Sequence, residues 1–158
     1  MNELDELLNE DQSLRKSLKE GKIPLKEFIE ADTKVSKKFL GCLTCNQFSF
    51  DPENPEVYRA MVTLALHAPH EEMQEIFETA RENIKPQDQA YFIDKLLIHD
   101  GKKQMYGTQY KKDEQGTVTF LPIEDENDVD ERRRGMGLCS LRQYVEFMEG
   151  KRNSVDAD

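Results

Sequence analysis

The sequence predicts a mainly α-helical protein of the α+β class, with five to seven helices and one β-hairpin near its C-terminal end. Three observations carry this expectation. Apolar residues recur at helical spacing through the first hundred positions, proline and glycine fall where helices start and stop, and only residues 104–122 alternate with a period of two around a polar turn. A chain of 158 residues can bury one core without staples. The expected organisation is therefore a single domain over 1–148, whose N-terminal helical segment over 1–50 is the less typical, followed by a flexible tail over 149–158.

The first helix is read from Leu4, Leu7, Leu8, Leu14 and Leu18, which share a face until Gly21 stops the pattern. Pro24 suits a first helical turn, and Phe28, Ile29, Val35, Phe39 and Leu40 continue a second helix to about Gly41. "CLTCNQFSFDPENP" reads as a loop. Pro55 opens a third helix through Val57, Met61, Leu64 and Ala68, closed before Pro69 because a residue preceding proline avoids the α region. Met73, Ile76, Phe77, Ala80 and Ile84 give the most regular apolar stripe, and Phe92, Ile93, Leu96 and Leu97 mark a fifth helix from about 87 to 98.

Gly101 then offers a left-handed helix end. Strands are expected over 104–110 and 117–122, joined by "KKDEQG". A period of two would put Tyr106 and Gln109 on opposite faces, unless the chain bulges at Gly107. Asp130 is expected to cap a short helix, and Ser140 with Gln143 forms a capping box for a last helix carrying Leu141, Tyr144, Val145 and Met148.

The formal charge of −10 disfavours a nucleic-acid backbone or an anionic membrane as partner. No apolar run reaches the roughly 18 residues of a membrane helix, and "MNELDELLNEDQSLRKSL" is acidic, with no basic stretch leading into an apolar one. A cytoplasmic location is expected, with three reduced cysteines. The sequence leaves the oligomeric state open.

Several residues invite chemistry. Cys42 and Cys45 have the C-x-x-C spacing of a zinc or redox site, but no second such pair exists, and Pro69 keeps His67 and His70 from sharing one helix face. "HAPH" lacks the i, i+4 histidines of a metallohydrolase, and "EDENDVDE" lacks the glycine of a calcium loop. No metal and no cofactor are expected. His67, at the end of an apolar helix, reads either as a cap for terminal carbonyls or as a general base or donor at a pocket wall. Arg132 and Arg133 read either as the basic end of a dipole-matched helix or as arginines folded inward onto a carboxylate or phosphate. Gln104, Tyr106, Thr108 and Gln109 crowd around Gly107, as an ordinary polar strand or as groups that orient a polar ligand.

At several of these residues the chain resembles an uncharacterised, mostly bacterial family of domains of unknown function. The resemblance rests on His67-Ala68, Gln74, Asp94, the run Gln104-Met105-Tyr106-Gly107-Thr108-Gln109, Pro122 to Asp125, Val129-Asp130-Glu131-Arg132-Arg133, Gly137-Leu138 and Tyr144. It covers roughly 56–146. Leu66 stands where the family often has glutamine, Lys95 where it often has arginine, and the N-terminal third matches poorly. The resemblance implies that His67, Tyr106, Gln109 and Arg133 converge, and it supplies no activity.

The functional expectation is a metal-independent polar pocket that binds or acts on a small polar or anionic ligand, without a commitment to catalysis. His67 would be base or donor, Asp94 would orient it or an arginine, and Arg133 would hold an anionic group. Gln74, Gln104, Tyr106, Thr108, Gln109, Asp130 and Arg132 would complete the ligand contacts. The alternative is an acidic interaction or regulatory module, effector-like or inhibitor-like, that meets a basic protein partner.

Overall fold

The computed structural model describes residues 2–150. Among them are seven α-helices and one antiparallel two-stranded hairpin. The fold class read from the sequence is thus the one observed. The chain divides into two compact units, Met1–Lys85 and Pro86–Asp158.

The first unit holds α1 (Glu3–Lys19), α2 (Leu25–Thr44), α3 (Pro55–His67) and α4 (His70–Ala80), with a 3-10 turn at Arg81–Asn83. Helix α1 starts on a capping box in which Asn2 accepts from the Asp5 N–H and Asp5 accepts from the Asn2 N–H. Leu4 and Leu7 of α1, Phe28, Val35, Phe39 and Leu43 of α2, Met61 and Leu64 of α3, and Met73, Ile76 and Phe77 of α4 are buried. Ile84 joins them although the helix ends at Ala80, so the stripe read from the sequence is right and its last turn is 3-10.

Helix α2 runs through Gly41, where the sequence suggested an end, and its last turn takes in the start of the supposed loop. Cys42 and Leu43 are buried there, and their packing outweighs a helical glycine's cost of about 1 kcal/mol. Asn46, at φ 55°, follows in the left-handed region just after the helix. Pro24 stands just before the helix rather than in its first turn.

The second unit holds α5 (Pro86–His99), β1 (Tyr110–Lys112), β2 (Val118–Phe120), a 3-10 turn at Glu126–Asp128, α6 (Val129–Gly135) and α7 (Leu141–Met148). The strands pair Tyr110 with Phe120 and Lys112 with Val118, so the ladder is shorter than expected and starts only at Tyr110. Residues 104–109 form a loop, not a strand. Gln104 alone bridges to Ile123, in parallel. Helix α6 begins at Val129, two residues earlier than a cap at Asp130 would place it, and Val129 is buried in its first turn. Asp130 instead accepts from the Leu141 N–H at 2.8 Å and ties α6 to the start of α7. The Ser140–Gln143 capping box forms as expected. Of the expected tail, Glu149 accepts from the Val118 N–H at 3.0 Å, and residues 151–158 lie outside the described residues.

Candidate functional site

The loop 104–109 is shaped by one buried carboxylate. Asp94, on α5 and 0% exposed, accepts from the N–H of Met105 at 2.7 Å, of Tyr106 at 3.0 Å and of Thr108 at 2.9 Å, and from the Thr108 hydroxyl at 2.9 Å. A carboxylate is a stronger acceptor than a strand carbonyl, so these N–H groups converge on Asp94 and no ladder forms. Gly107 makes the turn possible. Its φ is +66°, and a Cβ there would stand 2.7 Å from Leu141 Cδ2 and 3.1 Å from Ile123 Cδ1. Where the sequence left a bulge at Gly107 open, the chain makes a loop with Gly107 in the left-handed region.

The fully buried Gln104 amide closes that loop. Its Nε2 donates to the carbonyls of Gln109 and Leu121, each at 2.8 Å, and its Oε1 accepts from the Gln109 N–H at 2.8 Å. Both donors of the amide are thereby used. Thr108 is buried as well, and its oxygen accepts from Gln109 Nε2 at 3.1 Å. Tyr106 contributes chiefly its backbone.

The two arginines fold inward, but onto carbonyls. Arg132 Nε donates to the Met105 carbonyl at 2.8 Å, and its Nη2 to those of Glu124 and Asp125. Arg133, 1% exposed, donates from Nε to the Cys139 carbonyl at 2.5 Å and from Nη1 to the Tyr106 carbonyl at 2.6 Å and the Gly107 carbonyl at 3.5 Å. Two peptide units are thus gripped at both ends, the unit joining Met105 to Tyr106 and the unit joining Gly107 to Thr108. In each, an arginine takes the carbonyl and Asp94 takes the N–H. Opposite charges on the two ends of a peptide dipole reinforce it.

Arg133 also lies over the Tyr144 ring, 5.0 Å from its centroid, and Phe120 and Tyr110 pack on the same ring at 6.3 and 6.2 Å. Burial pushes the Tyr144 phenol well above the usual tyrosine range, and the hydrogen bond from Tyr91 adds to this while Arg133 opposes it. A groove of about 310 Å³ runs beside this ring, lined by Cys139, Gln143, Tyr144, Glu146 and Phe147. None of the site residues expected from the sequence lines it.

His67 and Gln74 belong to the first unit. Gln74 pairs with Glu78 on the outer face of α4. His67 sits in a cluster of charge. Its Nδ1 lies 2.7 Å from Asp11 Oδ2, and Arg15 Nε lies 2.8 Å from Asp11 Oδ1 and 2.9 Å from the same Nδ1. Arg15 Nη2 donates to Asp32 Oδ1 and to the His67 carbonyl, both at 2.9 Å, and the guanidinium rests over Phe28. The carbonyl contact is the helix-end satisfaction that the sequence suggested for His67 itself, here supplied by Arg15.

The Arg15 Nε–H reaches both Asp11 Oδ1 and His67 Nδ1, and Asp11 Oδ2 stands 2.7 Å from the same nitrogen. With the ring proton on Nδ1, that proton goes to Asp11 Oδ2 and the Arg15 Nε–H to Oδ1. The lone pair of neutral His67 is then on Nε2. Asp11 is 2% exposed, whereas the His67 side chain is 36% exposed. The carboxylate expected to orient His67 is thus provided by Asp11, while Asp94 serves the 104–109 loop.

Asp11, Arg15 and Asp32 were not singled out in the sequence, yet a signal for two of them exists. Asp11 falls at i+4 from Leu7 in the buried stripe of α1, and Asp32 at i+4 from Phe28 in that of α2. An acid in a core position requires a partner, and two such acids point to a shared cation. At the C-terminal end of α2, the buried Cys42 thiol is pushed up by its burial and by nearby Glu3, while Cys45 is exposed.

A helical protein with a polar loop held by a buried carboxylate, and with an Asp–His pair at a helix end, defines a class without naming a reaction. The model of a family of unknown function, DUF6624, matches residues 60–154, and the chain belongs to that family. The matched span contains His67 and the whole 104–109 loop, while Asp11, Arg15 and Asp32 precede it. Comparison with curated proteins and with solved structures gives no match.

Proposed function

We propose that the first unit carries a general-base site at His67, acting on a small polar molecule. The observation that supports it is the pairing of a buried carboxylate with Nδ1 of a part-exposed imidazole, which leaves the basic Nε2 available. In proton-transfer catalysis such a carboxylate fixes the tautomer and stabilises the imidazolium that forms when Nε2 takes a proton. Imidazole and carboxylate suffice for that step. Asp11 is the positioning residue and Arg15 holds Asp11 in place. Any bound hydroxyl, water or acidic C–H presented to Nε2 is a candidate proton donor.

5-Nitrobenzisoxazole tests the proposal without knowledge of the natural substrate. A base removes its C3 proton, the N–O bond breaks, and a coloured cyanophenolate is released, with no nucleophile required. The full chain is expected to accelerate this elimination above buffer, and His67→Ala is expected to abolish the excess. Equal rates for His67→Ala and the parent chain would defeat the proposal.

A further inference from the structure

We propose that Cys42 and Cys45, at the end of α2, form a site of reversible thiol–disulfide exchange with low-molecular-weight disulfides, in which Cys45 takes the incoming group and Cys42 displaces it. The site is independent of His67. Its C-x-x-C spacing becomes one helical turn, since Cys42 lies in the last turn of α2 and Cys45 is the C-cap, whose N–H still bonds to the Gly41 carbonyl at 3.1 Å. Three residues apart on a helix, the two Cα atoms stand about 5 Å from each other, inside the range of roughly 4.4–6.8 Å that a disulfide spans.

The two thiols are free and differ in burial. Cys45 is exposed, whereas Cys42 is 7% exposed. A dissolved disulfide therefore meets Cys45 first. Burial pushes the Cys42 thiol up, Glu3 and Cys45 add to this, and Lys38 opposes it. A buried, protonated thiol is a poor first nucleophile, but its place one turn away makes it an effective second one.

The Cys45 thiolate attacks one sulfur of the reagent, the reagent's S–S bond breaks, and one thiolate leaves. Cys42 then gives its proton to solvent and attacks the Cys45 sulfur, the mixed bond breaks, and the second thiolate leaves. One external disulfide is reduced to two thiols while the two cysteines are oxidised to one disulfide.

The exchange is reversible for a geometric reason. Helical neighbours at this spacing hold their Cβ atoms about 5–6 Å apart, and a disulfide needs about 3.5–4.5 Å, so closure tightens the end of α2. The helix stops there, with Asn46 at φ 55° and the Gln47 and Phe48 N–H groups turned back onto the Cys42 carbonyl at 2.9 and 3.3 Å. A bond closed against such resistance is readily reopened by thiols.

Oxidised glutathione tests the proposal on the full chain at about pH 8, near the ordinary thiol range. Residues 39–59 carry both cysteines with no lysine or arginine between Lys38 and Arg59, so one tryptic peptide reports every state by mass spectrometry once free thiols are blocked. The expected product is this peptide lighter by two hydrogens, with little glutathione left on Cys45. Cys42→Ala, checked for folding by circular dichroism, is expected to accumulate the Cys45 adduct at least about tenfold over the parent chain, because the displacing thiol is gone. Excess reduced glutathione is expected to reopen the disulfide of the parent chain. Equal adduct in the parent chain and Cys42→Ala would overturn the proposal, as would a disulfide that forms only after unfolding in urea or that reduced glutathione fails to open.

Discussion

Replacing Asp94 by alanine removes the acceptor of three backbone N–H groups and of one hydroxyl. Their fates differ. The Thr108 hydroxyl can rotate to another acceptor, while the Thr108 N–H is buried and has no substitute. Met105 and Tyr106 are half-buried, so water can recover part of the loss at their amides. At roughly 1–3 kcal/mol for each buried donor left unpaired, one complete loss and two partial ones put the cost at about 4 kcal/mol. Asp94→Asn keeps one oxygen but turns an NH2 towards a donor of the loop, for about 2 kcal/mol. Since a domain is stable by only about 5–15 kcal/mol, the alanine variant should unfold at markedly lower urea. The assay is urea unfolding followed by circular dichroism, together with hydrogen exchange at residues 105–108. A cost below about 1 kcal/mol, with exchange at those amides unchanged, would refute the reasoning.

Arg133→Met should cost about 2–3 kcal/mol in the same unfolding assay, and Arg133→Lys should fail to restore it, because a lysine point charge cannot reach the Cys139 and Tyr106 carbonyls with the planar fork of a guanidinium. Gly107→Ala should cost about 1–3 kcal/mol from the φ of +66° and the close Leu141 Cδ2, and adding Leu141→Ala should relieve only the steric share, as a double-mutant cycle would show. In thiol labelling, Cys45 and Cys139 should react before Cys42. The rate at Cys42 should rise only at a higher pH than for an ordinary thiol, because burial favours its protonated form. Asp11→Asn should lower the benzisoxazole rate by at least about tenfold. Its oxygen is drawn to the Arg15 Nε–H, so its NH2 faces Nδ1 and moves the ring proton to Nε2.

Much of the fold was legible because its helices obey a simple period. The stripes of α1 to α4, the proline before α4 and the Ser140–Gln143 box are local signals, and the structure keeps them. The 104–109 segment was misread for a reason that no local pattern carries. Asp94 lies ten residues before Gln104, in a helix, and its carboxylate replaces the strand partner that an alternating pattern implies. Arg132 and Arg133 were rightly suspected of folding inward, but their acceptors are carbonyls made available by that same loop. His67 was found through its place after an apolar helix. Its side-chain partners Asp11 and Arg15 both come from α1, 56 and 52 residues away along the chain, and a single sequence shows such pairing only as an acid in a core position.

The most direct test of the His67 site is the ring tautomer, read from nitrogen-15 spectra of the full chain at a pH where the ring is neutral. The expected result is a proton on Nδ1 and a bare Nε2, which reverses the preference of free histidine, with a shift towards the Nε2-protonated form in Asp11→Asn. A parent chain whose neutral His67 carries its proton on Nε2 would contradict it, because Asp11 would then face a lone pair and no base would be presented to a substrate.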